Sequence, residues 1–326
     1  GIAGTTVSFQ GKNLGTWSGG VGTSPLVVVF NSAATVEMAQ ALARNITYSN
    51  ASDLITTGPR TVRMVVSDGD GGVSAPVAKS ITIIPSNDPP VMLLTSGSLV
   101  YPENAAPLTV DSGASLVDDS ADFAEGTMTV EISSNGREED RLGIRHLGLG
   151  SGQIGVSGAN ITYQGKVIGT FTGGEGTAPL VVSFNALATP LIVQALARNI
   201  TYSNASHNPS VAARAVRITV DDGHGGVSPP KSRTIQIIPI NDSPVMSLPG
   251  GPIQYTENDP PTVLDAEATV QDVDSANFHL GRMTVELSVN GNGSDRLGIR
   301  NQGAEAGQIR VAGTAVSYQG VNLGTW

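Results

Sequence analysis

The sequence repeats itself at a fixed spacing. The thirteen residues QALARNITYSNAS at 40–52 recur without a change at 194–206, a spacing of 154 residues. The motif DRLGIR recurs at Asp140 and Asp295 with a spacing of 155, because one residue is inserted between Asn258 and Phe278. Copies this similar must adopt the same fold, so the chain is predicted to be an array of one structural unit.

The boundaries between copies are predicted at SNDPPV, which begins at Ser86, and INDSPV, which begins at Ile240. Each segment follows an apolar stretch, and Asn-Asp-x-Pro cannot continue a helix or a central strand. We therefore expect residues 1–86 to be the C-terminal part of one repeat, residues 87–240 a complete repeat, and residues 241–326 the N-terminal part of a third.

Two interpretations of the partial repeats are open. The chain is either a window on a longer array, or its partial repeats complete each other between neighbouring chains. Residues 1–17 and 310–326 are two versions of the same segment. The window is favoured, because both versions would compete for one place in a completed repeat.

The composition within each copy favours an all-β fold. Short apolar runs rich in Val, Ile and Thr are separated by clusters of Gly, Asn, Asp and Pro, a pattern typical of antiparallel strands joined by tight turns. The segment TPLIVQALARNI is the exception, because Leu187, Leu191, Ala195 and Leu196 follow helical spacing. One short helix is predicted there, with Leu196 and Ile200 in the core and Arg198 solvated or paired locally.

Several function classes are disfavoured by the residues present. A formal net charge of −10 opposes binding to nucleic acid, and no apolar run has the roughly 18 residues needed to span a bilayer. There is no cysteine, and the motifs G-x-S-x-G, H-E-x-x-H and the P-loop are missing. Asp140 and Asp295 recur, but the adjacent Arg141 and Arg296 indicate ion pairing at a strand end. The chain is therefore predicted not to be an enzyme.

The acidic motifs and their order carry a family resemblance. PEN at Pro102, the pair Asp118-Asp119, DVD at 272–274 and SDGDGG at Ser67 accompany the proline-containing linkers. Together they resemble the cadherin-like or immunoglobulin-like tandem repeats of giant bacterial surface proteins. The resemblance implies β-sandwich repeats of about 154 residues, each with one short helix, in an extracellular or cell-surface protein.

The resemblance also implies Ca²⁺ at the junctions between repeats, and Ca²⁺ binds carboxylate, amide and carbonyl oxygens of the kind found here. The alternative is that the Asp-Gly and Asn-Asp pairs only form turns; His224 replaces Asp70 in the next copy, which makes that position at best a dispensable ligand. The candidate ligands at the first junction are Asp68, Asp70, Asn87, Asp88, Asp118 and Asp119. Those at the second junction are Glu103, Asp222, Asn241, Asp242, Asp272 and Asp274.

The expected function is structural. Tandem repeats with cations at their joints suit a segment of an extracellular filament or adhesin stalk, whose partners are neighbouring repeats or copies of the same protein. The alternative is an adhesion module in which glycine-rich edges with Trp17, Phe171 and Trp326 bind carbohydrate or a cell surface. A half-buried aromatic beside a glycine turn is the simpler interpretation of those residues. The four histidines do not recur between copies and are predicted to be surface residues.

Overall fold

Glycine-rich turns divide the chain into short strands, as their sequence pattern predicts. The computed structural model describes residues 2–52 and 55–326, and the described residues form strands with two short helices, which confirms the all-β prediction. The chain divides into two units, Gly1–Ser86 and Asn87–Trp326. The division falls at the first predicted boundary, and the boundary predicted at residue 240 stays a prediction.

The first unit contains two small sheets and a helix. Strands β1 to β4 form one antiparallel sheet in chain order, and β5 pairs with β6. The helix begins after Thr35, whose hydroxyl accepts a hydrogen bond from Met38 N at 3.3 Å. Val7, Leu14 and Met38 form its buried cluster. The elements are β1 (Ile2–Ala3), β2 (Thr6–Phe9), β3 (Lys12–Ser18), β4 (Val27–Phe30), α1 (Val36–Ala43), β5 (Arg60–Met64) and β6 (Val77–Ile81).

The second unit contains most of the strands. Its elements through residue 240 are β7 (Val91–Leu93), β8 (Ser98–Pro102), β9 (Leu108–Thr109), β10 (Ser115–Val117), β11 (Thr127–Ser134), β12 (Asp140–Ile144), β13 (Ile154–Ser157), β14 (Asn160–Tyr163), β15 (Lys166–Thr172), β16 (Leu180–Phe184), α2 (Pro190–Ala197), β17 (Ile200–Asn204), β18 (Arg214–Asp221) and β19 (Lys231–Ile238). The later elements are β20 (Val245–Ser247), β21 (Thr269–Gln271), β22 (Ile309–Ala312), β23 (Ala315–Tyr318) and β24 (Val321–Thr325).

One large sheet organises residues 87–240. Its strand order is β13-β14-β15-β16-β11-β18-β19-β8, and β12-β17-β9 and β10-β7 form smaller sheets. Strand β18 alternates buried and half-buried residues along its whole length, as expected for a strand with one face in the core. Residues from the large sheet, the smaller sheets and α2 share one hydrophobic cluster, which includes Met92, Phe123, Met128, Leu196 and Tyr202.

The predicted helix is present as α2, but its buried face differs from the prediction. Val193, Leu196 and Ala197 are buried, whereas Leu191 is exposed. Leu187 is also exposed and precedes the helix, because the helix begins at Pro190. Ile200 is buried as predicted, and the nearby Arg198 donates from Nε to Ala114 O at 2.7 Å, so the arginine is paired locally.

The strand order gives residues 87–240 two distinct ends. Strands β18 and β19 are antiparallel, so the turn between them lies at the opposite end from the exit of β19 at Ile238. Strand β8 is parallel to β19, with Pro102 beside Ile238, so both strands end together. We call the end with the β18–β19 turn the proximal end, and the end where β8 and β19 finish the distal end.

Residues 241–326 contain a two-stranded and a three-stranded sheet. The pair β20-β21 corresponds in sequence to β7-β10, and β22-β23-β24 corresponds to β13-β14-β15. The register is the same in detail: Val311 pairs with Val316 as Val156 pairs with Ile161.

Candidate metal centre

Glu103 is a buried acidic residue at the distal end. It directly follows β8, and its backbone N–H donates to Ile238 O at 2.9 Å. Its side chain is only 3% exposed, and Oε2 accepts a hydrogen bond from Ile240 N at 2.9 Å. Oε1 is buried and has no hydrogen-bond partner among the described residues. Since a buried carboxylate oxygen without a partner is costly, the position suits a bound cation.

Asp242 and His207 approach Glu103 from two other segments. His207 Nδ1 lies 3.2 Å from Asp242 Oδ2. One potential ligand atom from each of Glu103, His207 and Asp242 lies within 4.8 Å of the others, and this is the one such group among the described residues. Glu103 is buried, Asp242 is half-buried and His207 is exposed, so the group opens to solvent on the histidine side.

Asp272 and Asp274 extend the acidic group beyond the linker. Asp242 N donates to Asp274 Oδ2 at 3.1 Å, while Asp274 Oδ1 is buried without a partner among the described residues. Asp272 Oδ1 accepts from Ser275 N at 2.8 Å and from Asp274 N at 3.3 Å. The backbone hydrogen bond from Ser275 is the main cause of the lowered pKa of Asp272, so this carboxylate stays charged. Glu103, Asp242, Asp272 and Asp274 are called the distal acidic group.

Asn241 lies beside this group in the linker. Its side chain is exposed, and Nδ2 donates to Asp242 O at 2.7 Å. A third segment is tied to the same place, because Asn208 Nδ2 donates to Val273 O at 2.9 Å. The loop that carries His207 is therefore connected to the turn that carries Asp272 and Asp274.

The proximal end carries the same pattern one repeat earlier. Asp88 N donates to Asp119 Oδ1 at 3.2 Å, which matches the bond from Asp242 to Asp274. Asp118 Oδ1 accepts from Ser120 N at 2.7 Å, which matches the bond between Ser275 and Asp272. The two linkers therefore organise corresponding carboxylates in the same way.

Asp118 is poorly neutralised at the proximal end. Its Oδ2 is buried without a hydrogen-bond partner among the described residues. Burial raises the pKa of Asp118, hydrogen bonds from Ser120 partly offset this rise, and the charges of Asp222 and Asp119 add to it. A cation at this position would relieve both the burial and the repulsion.

Asp222 belongs to the proximal end, and its assignment to the second junction was wrong. Asn87 Nδ2 donates to Asp222 Oδ2 at 2.8 Å, and His224 N and Gly226 N donate to Oδ1 at 2.6 and 3.0 Å. Burial acts to raise the pKa of Asp222, but these hydrogen bonds outweigh it and the pKa is lowered. The misassignment has a topological cause, since β18 and β19 run in opposite directions and place this turn away from Asn241.

Asp68 and Asp70 occupy the corresponding turn of the first unit. Asp68 Oδ1 accepts from Asp70 N and Gly72 N, both at 2.9 Å, and both aspartates are exposed. Strand β6 begins after this turn and leads towards Ser86, so the turn lies at the far end of β6 from the boundary. These bonds are those of a turn former, and the structure does not bring the two residues to the segment at Ser86.

The aspartate of the recurring DRLGIR motif has a different partner from the one that the sequence suggested. Asp140 is fully buried, and Oδ2 accepts from Arg214 Nε at 2.9 Å. Oδ1 accepts from Tyr202 OH at 2.5 Å and Asn204 Nδ2 at 2.7 Å. Arg141 instead donates to the backbone oxygen of Asp140 at 2.8 Å. The predicted ion pair exists, but with Arg214, which is distant in sequence, and it is part of the core.

The aromatic residue of the glycine-rich edge is held by the backbone. Trp17 Nε1 donates to Gly4 O at 3.2 Å, and the half-buried ring packs against the cluster of the first unit. Trp326 Nε1 makes the matching bond to Gly313 O at 3.2 Å. These contacts agree with an aromatic that anchors a glycine turn.

His207 was missed as a site residue because it does not recur. The preceding copy has Asp53 at this position, and Asp53 lies outside the described residues. The sequence feature that could have identified His207 is the replacement of aspartate by histidine at this position, since both residues are metal ligands.

Two comparisons with known proteins found no match. No protein-family model matches the chain, and no curated protein matches it significantly. Among the described residues, no helix is both long and apolar enough to cross a membrane.

Proposed function

We propose that this chain is a structural segment of an extracellular filament or adhesin stalk, built from tandem β-sandwich repeats whose junctions are stiffened by Ca²⁺. The proposal places the protein outside the cell or at its surface and assigns it no catalytic role. Its partners would be neighbouring repeats or further copies of the same protein. Identical repeats suit this role because the reach of an array grows with the number of copies.

The observation that carries the proposal is the shared organisation of the two linkers. Corresponding carboxylates accept the same backbone hydrogen bonds 154 or 155 residues apart, at Asp119 and Asp274. Beside each linker, one carboxylate oxygen is buried without a partner among the described residues: Asp118 Oδ2 at the proximal end and Asp274 Oδ1 at the distal end, which are not corresponding residues. Turn formation accounts for the paired oxygens and leaves the unpaired ones unexplained.

The distal acidic group fits Ca²⁺ by its chemistry. Ca²⁺ takes about six to eight oxygen ligands, often from carboxylates and backbone carbonyls. Glu103 comes from residues 87–240, Asp242 from the linker, and Asp272 and Asp274 from the segment beyond it. Asn241, the linker residue beside Asp242, carries a further amide oxygen. An ion bound by Glu103 and Asp242 would join residues 87–240 to the linker, and Asp242 N is hydrogen-bonded to Asp274 in the segment beyond it, so the ion would limit hinge motion at the linker.

The test is to measure thermal unfolding and small-angle X-ray scattering of the chain with Ca²⁺ and with a chelator. We expect Ca²⁺ to raise the unfolding temperature. In the scattering data, we expect it to increase the maximum dimension of the chain or to narrow the range of dimensions that the chain adopts. At a free concentration 100-fold above Kd, one site adds about 2.7 kcal/mol to the free energy of unfolding. Unchanged unfolding and scattering would remove Ca²⁺ from the proposal.

The alternative of a carbohydrate-binding adhesion module has less support. Trp17 uses its indole N–H and part of its ring in contacts within the first unit. Trp326 is more exposed, at 62%, and its indole N–H is bonded to Gly313 O. A sugar platform needs an exposed aromatic face. Binding of the chain to a glycan array would restore this alternative.

A further inference from the structure

The distal end contains a second kind of ligand set besides the four carboxylates. Glu103, His207 and Asp242 bring one nitrogen and two oxygen ligands within 4.8 Å of one another. The buried Oε1 of Glu103 has no hydrogen-bond partner among the described residues. This orphan oxygen distinguishes the group from an ordinary surface pair of histidine and aspartate, because it leaves an acceptor that protein donors do not satisfy.

The loop that carries His207 is held on both sides. Ser206 N donates to Asn204 Oδ1 at 2.9 Å, and Asn208 N donates to Ser206 Oγ at 3.0 Å. Asn208 Nδ2 ties the loop to Val273 O at 2.9 Å. The imidazole is exposed, but its backbone is positioned, so little ordering is needed to bring Nδ1 to a metal ion.

A nitrogen ligand changes which ion the group prefers. Ca²⁺ is a hard cation that binds oxygen, whereas imidazole suits Zn²⁺, Ni²⁺, Co²⁺ and Cu²⁺. Three protein ligands with at least one open coordination position form a common arrangement for Zn²⁺. The preceding copy has aspartate at the corresponding position, so the nitrogen ligand is a property of this linker alone in the sequence.

We propose that Glu103, His207 and Asp242 form a binding site for a divalent transition-metal ion of the zinc class, which competes with Ca²⁺ for Glu103 and Asp242. The inference rests on the proposed function in one respect, namely that a cation occupies this linker. It adds that the distal junction selects a different metal from junctions that have aspartate at this position.

The test is isothermal titration of the calcium-free, full 326-residue chain with Zn²⁺, followed by separate titration with Ca²⁺. His207→Asp introduces the residue of the preceding copy. The matched control is His224→Asp, which also introduces the residue of the preceding copy, but at the proximal turn. Both variants exchange one histidine for one aspartate, so they make the same change in net charge.

We expect the wild-type chain to bind one Zn²⁺ ion. His207→Asp should lower the affinity for Zn²⁺ at least tenfold, and His224→Asp should leave the affinity unchanged. The ring signals of His207 in a proton–carbon NMR spectrum should shift strongly on addition of Zn²⁺, which binds the imidazole, and only slightly on addition of Ca²⁺, which binds the neighbouring Asp242. His207→Asp should keep or strengthen Ca²⁺ binding, because it replaces nitrogen with oxygen.

The outcomes separate this inference from the proposed function. Ca²⁺ binding without Zn²⁺ binding would overturn the inference and leave the calcium junction intact. Zn²⁺ binding that survives in His207→Asp, or that is lost equally in His224→Asp, would also overturn it. Zn²⁺ binding through His207 in a chain that binds no Ca²⁺ would support the inference and remove Ca²⁺ from the proposed function.

Discussion

The buried carboxylate of Asp140 is expected to be among the most sensitive positions in the chain. It accepts four hydrogen bonds, from Arg137 N at 2.8 Å and from the side chains of Tyr202, Asn204 and Arg214. Asp140 and Arg214 are both 0% exposed. Asp140→Asn keeps the shape of the side chain but removes its charge and one acceptor oxygen, so it tests the network without creating a cavity.

The expected cost follows from the donors that the asparagine cannot satisfy. Either orientation of the amide turns its NH₂ group towards two of the four donors, and each unsatisfied buried donor costs about 1–3 kcal/mol. Breaking a buried ion pair by removing one partner costs about 3–5 kcal/mol. We therefore expect a loss of about 3–5 kcal/mol in the free energy of unfolding, and a fall in Tm of roughly 6–20 °C.

The matched control is Asp295→Asn, in the second DRLGIR motif. Asp295 accepts the corresponding backbone bond, from Asn292 N at 2.7 Å, but it is exposed. We expect this variant to change the free energy of unfolding by no more than about 0.5 kcal/mol. Scanning calorimetry of both variants at pH 7 measures the difference directly.

Similar Tm values for Asp140→Asn and Asp295→Asn would refute the argument. They would show that the buried hydrogen-bond partners of Asp140 do not add to the stability of the fold. A loss below about 1 kcal/mol for Asp140→Asn would refute it as well. The double variant Asp140→Leu/Arg214→Met adds a second check. Replacing a buried ion pair by apolar residues is often neutral, but here it would also leave Arg137 N, Tyr202 OH and Asn204 Nδ2 without their acceptor, so the double variant should be no more stable than Asp140→Asn.

Three further predictions test the core, the close approach of the paired strands β15 and β16, and the junction. Burial, the hydrogen bond to Asp140 and the negative charge of Asp140 raise the pKa of Tyr202. The free energy of unfolding should therefore be highest below the unfolded-state pKa of about 10 and fall above it, by up to about 1.4 kcal/mol per pH unit. Denaturant titrations at pH 9 and 11 should show this loss in the wild type and less of it in Tyr202→Phe. Gly169→Ala should lower the free energy of unfolding by about 1–3 kcal/mol, because a Cβ at this position would lie 2.2 Å from Ser183 O. The control Gly251→Ala, whose Cβ would have no atom within 4 Å, should leave the free energy of unfolding unchanged in the same titration. Glu103→Gln should at least halve the rise in Tm that Ca²⁺ produces, and an undiminished rise would exclude Glu103 as a ligand.

Much of the fold could be predicted from local patterns. Strands follow from alternating apolar residues and turn residues, and the helix follows from apolar residues at helical spacing. The acidic linkers were also visible, because the spacing of 154 residues identifies which carboxylates correspond. These signals lie within a few residues of one another, or in the comparison of one copy with the next, so they need no knowledge of the tertiary structure.

The partner of each side chain depended on the order of the strands. Asp140 was expected to pair near Arg141, yet it binds Arg214, which lies 74 residues away. Asp222 was assigned to the wrong end, although antiparallel pairing of β18 and β19 places their turn away from Asn241. Glu103 lies near Asp242 because β8 and β19 finish together at the distal end, and His207 joins them because β18, antiparallel to β19, begins at that end. The sequence by itself therefore determined the kinds of elements and their repetition, whereas the tertiary structure alone decided which distant side chains meet, since that depends on strand order and direction.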